Sequence, residues 1–306
     1  MMHIRYLPHK DIDKMKWDAC IDNASNGLIY AYSFYLDIMS ENWDALVMNN
    51  YEMVMPLTWN RKFGVSYLRQ PAFTQQLGIF GPDAFSNEIT EQFIYKALDV
   101  FPFMEINLNY ANAHLKYSVK KCNLILPLHH PFTVIKESFR SDLVKKAINA
   151  HIVFEPSNNI EEAIKTFRDV YSNKVSHVSG KNYEDLLQVC ILLKSNQQLL
   201  IRKVSSINGS LLSISIFFKD SKRIYYILSA TLPNGRRCDA NAFLLHELIR
   251  EFSGQNLILD FEGSDIPSIN FFFRKFNPLE QSYTSIAINK LPPWKKWIKR
   301  IYDLYK

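Results

Sequence analysis

Along the first 136 residues, apolar positions switch between a helical and an alternating period. Residues 10–22 and 31–40 carry helical spacing, the second with Tyr32, Tyr35, Leu36 and Met39 on one stripe. WDALVMNNYEMVMPLTW then predicts two strands joined at Asn49-Asn50, a pair suited to a hairpin turn. VSYLRQP at 65–71 is a further strand, ended by Pro71. A helix over 88–100 and a strand over 103–108 follow, and residues 116–135 are expected to be extended, with breaks at Pro127 and Pro131.

The second half repeats this style. Helices are predicted over 138–149, 160–172 and 182–195, then strands over 199–204, 211–218 and 223–230. Asn208-Gly209 and Asp220-Ser221 mark the turns between those strands. The loop TLPNGRRCD leads into a helix over 239–252, where Ala242, Leu245, Leu248, Ile249 and Phe252 share a face. The strand NLILDF, a turn at Gly263-Ser264-Asp265, an aromatic helix and a last strand at 282–289 complete the order. Each half therefore reads helices, antiparallel strands, helix, strand. The expected fold class is α/β (α+β), each half a mixed, mainly antiparallel sheet flanked by helices. The expected domains are 1–136 and 137–289, with 290–306 as a basic tail helix.

Composition narrows the function classes. The chain has 306 residues, 47% hydrophobic and 22% charged, an ordinary globular balance. The N-terminus lacks a signal-peptide core, and no run reaches the roughly 18–20 apolar residues of a membrane span. Cys20, Cys122, Cys190 and Cys238 are scattered, which fits reduced thiols and a cytoplasmic location. The net charge is +6, and residues 290–306 hold six cations against Asp303 alone, so five of the six charges belong to the tail. A DNA binder would spread its cations over a folded face, so DNA is not an expected partner. The tail's seam of Trp294, Trp297, Ile298, Ile301 and Leu304 serves either docking on the body or peripheral contact with an anionic membrane.

Three stretches carry a family resemblance. They are the strand ending ILSA with the basic loop and helix NAFLLHELIREF, the strand ending LDFEGS, and the segment FFFRKFN. With YEMVMPLTWNRKFGVSYLRQPAFTQQLGIF in the first half, the chain resembles GNAT-type acyltransferases of the two-domain FemAB-like branch. The resemblance implies two tandem GNAT-like domains and transfer of an acyl or aminoacyl group to an amine of a cell-wall precursor, an amino sugar or a lipid. It implies no permanently bound cofactor, with acyl-CoA or aminoacyl-tRNA as co-substrate, hence tRNA as a partner. GNAT enzymes wrap the donor pyrophosphate in a glycine-bearing loop at a helix N-terminus, where N–H groups and the helix dipole favour phosphate. Here that stretch is Arg237-Cys238-Asp239-Ala240-Asn241-Ala242, with alanine in place of the first glycine. A non-catalytic binding protein of the same fold is therefore the competing reading.

The candidate residues follow from this. Asp260 and Glu262, two apart at a strand exit, are expected on one face, where a carboxylate deprotonates the acceptor amine. Tyr226 and Ser229 end the strand that the resemblance places against the acyl group, and a hydroxyl there protonates the leaving atom. Gly235, Arg236, Arg237, Asn241, Arg274 and Lys275 are donor-binding candidates, and Arg69, Gln70, Gln75 and Gln76 acceptor-binding candidates. His129-His130, His177 and His246 lack ligand partners at metal spacing, so no metal is expected.

Overall fold

The computed structural model describes residues 3–62, 64–82, 86–112, 114–171, 178–263 and 265–292. Along the chain come β1 (Ile4–Leu7), α1 (Lys14–Asn23), α2 (Ser33–Met39), β2 (Trp43–Met48), β3 (Met53–Lys62), β4 (Val65–Arg69), α3 (Asn87–Val100), β5 (Phe103–Leu108) and β6 (Ser118–Lys121). Next are β7 (Leu124–Pro127), α4 (Phe132–Glu137), α5 (Lys145–Asn149), β8 (Val153–Ser157), α6 (Ile160–Tyr171) and α7 (Gly180–Ser195). Then follow β9 (Leu199–Ser205), β10 (Leu211–Lys219), β11 (Arg223–Thr231), α8 (Pro233–Arg237), α9 (Ala240–Phe252), β12 (Ile258–Asp260), α10 (Pro267–Arg274), β13 (Leu279–Glu280) and β14 (Tyr283–Asn289).

These elements form two compact units, Met1–Lys121 with Ser282–Lys306, and Cys122–Gln281. Each holds one seven-stranded mixed sheet, ordered β1-β2-β3-β4-β5-β14-β6 in the first and β13-β7-β12-β11-β10-β9-β8 in the second. In each sheet one interior pair is parallel, β4 with β5 and β11 with β12, and its partners on either side are antiparallel.

The division differs from the expected boundary at 136. Strand β7 follows β6 in sequence but pairs with β12 and β13, while β14 follows β13 but pairs with β5 and β6. Each half thus gives its last strand to the other half's sheet, in the slot between its fifth and sixth strands. The period of two marks both segments as strands and carries no information about which sheet they join.

Burial explains why the strands form where they do. All six residues of β2 are buried, and Leu46, Met48, Met55, Leu57, Phe93, Ile94 and Met104 pack into the first core. Each such side chain stabilises by about 1.5–3 kcal/mol. The second core joins Phe217, Leu245, Leu248, Leu259, Phe273 and Phe276. Helix ends are set locally. Ser179 and Asn182 form a reciprocal capping box on α7, and Asp13 caps α1 through Lys16 N at 3.2 Å.

Several segments depart from the sequence expectation: Ile4–Leu7 is an unexpected strand, and of the helix expected over 138–149 only Lys145–Asn149 forms. Phe132–Glu137 is helical rather than extended, since Pro131 supplies the extended residue before its first turn. Pro233–Arg237 is helix rather than loop, with Pro233 at its start. Val153–Ser157 is a strand that periodicity misses, because Pro156 and a half-exposed pattern suit a sheet edge. His177, Ser264 and the tail seam from Trp294 to Leu304 lie outside the described residues.

Candidate functional site

In the second unit the parallel pair is short. Strand β12 meets β11 through Arg223–Tyr225 with Ile258–Asp260, and β11 then runs six residues further with β10 as its only strand partner among the described residues. Directly after this divergence the β10 register steps from Phe217↔Tyr226 to Ile216↔Leu228, which leaves Ile227 as an extra residue. Such a bulge turns backbone groups out of the ladder and re-aims the neighbouring side chains. The result is an opened sheet interior at Tyr226–Thr231.

A polar network lines this stretch. Tyr226 OH donates to Asn241 Oδ1 at 2.7 Å, and Ser229 Oγ donates to the same oxygen at 3.1 Å. Ser215 Oγ, from β10, donates to Ser229 Oγ at 3.1 Å, and Ser213 Oγ donates to Ala230 O at 3.1 Å. Phe217 stacks on Tyr226 at 5.0 Å, and Phe273 of α10 meets Tyr226 edge-on at 5.9 Å. Burial pushes the Tyr226 phenol up to about 12, against the opposing pull of Ser229, Ser215 and Asn241. Tyr226 is thus a neutral hydrogen-bond donor at physiological pH. Ser215 and Ser213 escaped the sequence reading, although two serines at i and i+2 in the apolar run LLSISIFF are a visible signal.

The sheet order, the parallel pair opened by a bulge, and the helix α9 that begins beside it are now in view. No family model matches the chain, and no curated protein matches it. Solved structures do. FemX aligns over 89% of this chain and 96% of its own, with a TM-score of 0.61 at 12% identity. A tandem GNAT protein from the clavulanic acid biosynthesis pathway aligns over 95% and 99%, with a TM-score of 0.53 at 9% identity. L-PGS from Bacillus licheniformis aligns over 95% and 96%, with a TM-score of 0.51 at 10% identity. The chain has a tandem GNAT fold, similar to that of FemX.

Within this tandem GNAT fold the two sheets are not equivalent. Past the end of β4 in the first unit, the segment Leu77–Phe80 takes over the strand position. Leu77 bridges Leu108 in parallel, and Phe80 bridges Val54. Ile79 O accepts the side-chain amides of Asn26, Asn109 and Asn112 at 2.8–2.9 Å, and Ile79 N donates to Asn112 Oδ1 at 2.8 Å. Gly78 has φ +94°, and a Cβ there would stand 2.3 Å from Asn112 Oδ1. The opening that persists in the second unit is plugged by the chain in the first.

The acceptor candidates belong to this plug. Gln70 Oε1 accepts Asn107 N at 3.1 Å, Gln76 Oε1 accepts Tyr110 N at 2.8 Å, and Gln76 Nε2 donates to Gln75 Oε1 at 2.6 Å. Gln76 is only 1% exposed, and the Gln70 and Gln76 amides anchor backbone. Arg69 is exposed at the end of β4, opposite Glu105 in register.

The two carboxylates separate in role. Asp260 is 1% exposed and forms an ion pair with buried Arg223 at 2.8 Å. Its Oδ1 also accepts Asn123 Nδ2 and Glu262 N, both at 3.0 Å, while Arg223 Nη2 donates to Gln281 Oε1 at 2.8 Å. Asp260 thereby clamps β7, β11, β12 and the exit toward β14, and its carboxylate faces the core. Glu262 does not share its face, because β12 ends at Asp260 and Glu262 adopts φ +53°. The alternation rule holds only while the strand continues. Glu262 is half-buried, two residues past the last paired position, where the strands part.

The donor candidates scatter similarly. Gly235 lies inside α8, where a Cβ would stand 2.1 Å from Leu212 O, so this glycine serves close packing and not a phosphate turn. Arg236 Nε donates to Thr231 O at 3.1 Å, and Arg237 is exposed. Asp239 precedes α9 with φ +56°, makes no side-chain cap, and pairs with Lys146 at 3.3 Å. Lys146, which the sequence did not single out, thus offsets the charge nearest the helix N-terminus. Arg274 bonds Asn270 and Glu280, and Lys275 lies 5.8 Å from the Phe271 and Phe272 rings, so both are engaged by their own segment.

Proposed function

We propose that the second unit transfers an acyl or aminoacyl group from acyl-CoA or aminoacyl-tRNA to an amine. The observation that carries this reading is the bulged, one-sided stretch Tyr226–Thr231 beside the Asn241 cluster. An extended thioester or ester fits against such an edge, since backbone N–H groups there donate to the acyl carbonyl as they would to an added strand. The acceptor amine attacks directly, and no covalent enzyme intermediate is required.

In this reading Glu262 takes the amine proton, directly or through a water, because Asp260 is held by Arg223. Tyr226 and Ser229 both donate to Asn241, so their hydroxyl protons are already committed. Acceptors of the proposed classes are a cell-wall precursor, an amino sugar or a lipid amine, in keeping with a cytoplasmic protein that contacts membranes only peripherally. No helix among the described residues is long and apolar enough to cross a membrane.

One observation favours the non-catalytic alternative. Gly235 is used in packing and the first turn of α9 carries no glycine, so the donor phosphates lose their usual cradle. Incubation with acetyl-CoA and bulk aminoacylated tRNA, each with glucosamine and a lysine-bearing peptide, separates the two readings. Product with any pair supports the transferase. Donor-induced stabilisation without product supports a binding protein.

A further inference from the structure

The side-chain amide of Asn241 is oriented more tightly than a packing role needs. Asn241 stands in the first turn of α9, and its Oδ1 accepts both Tyr226 OH and Ser229 Oγ. Ser215 Oγ donates in turn to Ser229, so a directed chain of hydroxyls ends on that one oxygen. Among the described residues no group accepts from Asn241 Nδ2, and the residue is half-buried. Fixing the carbonyl end of an amide fixes its NH2 end, and two donors on Oδ1 polarise the N–H bonds. The first-turn position adds the positive end of the helix dipole. Both hydroxyl partners lie in the part of β11 that β12 leaves uncovered, on either side of the Ile227 bulge.

We infer that Asn241 Nδ2 donates to the acyl carbonyl oxygen and to the oxyanion formed on it, with Tyr226, Ser229 and Ser215 as positioning residues. This rests on the transferase reading above. As the amine nitrogen bonds to the carbonyl carbon, the C=O π pair moves to oxygen, where Nδ2–H stabilises it. Collapse restores the C=O bond and breaks the C–S bond of a thioester or the C–O bond of a ribose ester. The amine's excess proton passes to Glu262 or water, and the departing sulfur or oxygen leaves with the electron pair and takes up one proton from solvent, which balances the proton released. The charge appears only in the transition state and intermediate, so this contact acts on kcat more than on donor affinity.

Asn241→Asp is the direct test. It keeps an oxygen for Tyr226 and Ser229 and removes both N–H donors. With the donor and acceptor pairs named above, kcat should fall about 100-fold or more while the donor KM stays within about threefold. Asn241→Ser, which retains one donating hydroxyl, should recover part of the loss and covers the case in which the aspartate variant does not fold. Unchanged kcat in folded Asn241→Asp, or a KM effect alone, overturns the assignment and leaves the transferase reading standing. Absence of product from the wild-type with every pair overturns both.

Discussion

Asp260 is one of the two carboxylates that the sequence offers as a site acid, and its geometry makes a sharp stability prediction. Replacing it with alanine removes the carboxylate that faces Arg223, itself only 3% exposed, while the Arg223–Gln281 bond stays in place. Asn123 Nδ2 and Glu262 N lose their acceptor as well. Breaking a buried pair from one side costs about 3–5 kcal/mol. With a urea m-value of roughly 2 kcal/mol/M, the midpoint of the second unit should drop by about 2 M. Asp260→Asn keeps the oxygen for Asn123 and Glu262 and should cost less, about 2–3 kcal/mol. All five tryptophans lie outside residues 122–281, so the transition must be followed by circular dichroism or tyrosine fluorescence. A double-mutant cycle with Arg223 should return coupling of about 2 kcal/mol or more. If Asp260→Asn moved the midpoint by less than about 0.5 M yet abolished transfer, the clamp account would be wrong and Asp260 would be the base.

Three further outcomes follow from other parts of the fold. Tyr226 is raised from 10.0 to about 12 and Cys190 from 9.0 to about 12, both by burial. The unfolded chain then binds fewer protons above pH 9, so stability falls with rising pH. The Tyr226 share is about 3 kcal/mol between pH 10 and 12, and alkaline melts of Tyr226→Phe should lack it. Gly235→Ala should destabilise the second unit by about 2 kcal/mol or more in urea, since its Cβ meets the Leu212 carbonyl at 2.1 Å; a neutral result would mean that α8 shifts freely. Because β6 and β14 are antiparallel neighbours with Lys121 opposite Tyr283, joining 121 to 282 through a short Asn-Gly turn should leave a folded first unit with a dispersed NMR spectrum.

Much of the fold was legible where periodicity and turn residues agree. The hairpins at Asn49-Asn50 and Asp220-Ser221, the helix 239–252 and the duplicated order all appear as expected. What stayed hidden depended on partners far along the chain. Strands β7 and β14 carry ordinary strand patterns, and their exchange is set by which sheet has a vacant slot. Asp260 looked like a site acid because Arg223 and Asn123, which absorb it, lie 37 and 137 residues away. Glu262 looked like its companion until the backbone turned at φ +53°. Tyr226, Ser229 and Asn241 were each named from the sequence, but only the fold joins them on one amide oxygen. The bonds of Gln70 and Gln76 to the backbone amides of Asn107 and Tyr110 were equally hidden, since those partners lie more than 30 residues away.

On the transferase reading the second unit alone presents a donor site, along the stretch of β11 that β12 leaves unpaired. Hydrogen exchange of the full chain with and without acetyl-CoA or bulk aminoacylated tRNA tests it most directly. Slowed exchange is expected in peptides covering 226–231 and 240–243, with no change over 65–80. Protection over 65–80, or none in either unit with any donor, would contradict it.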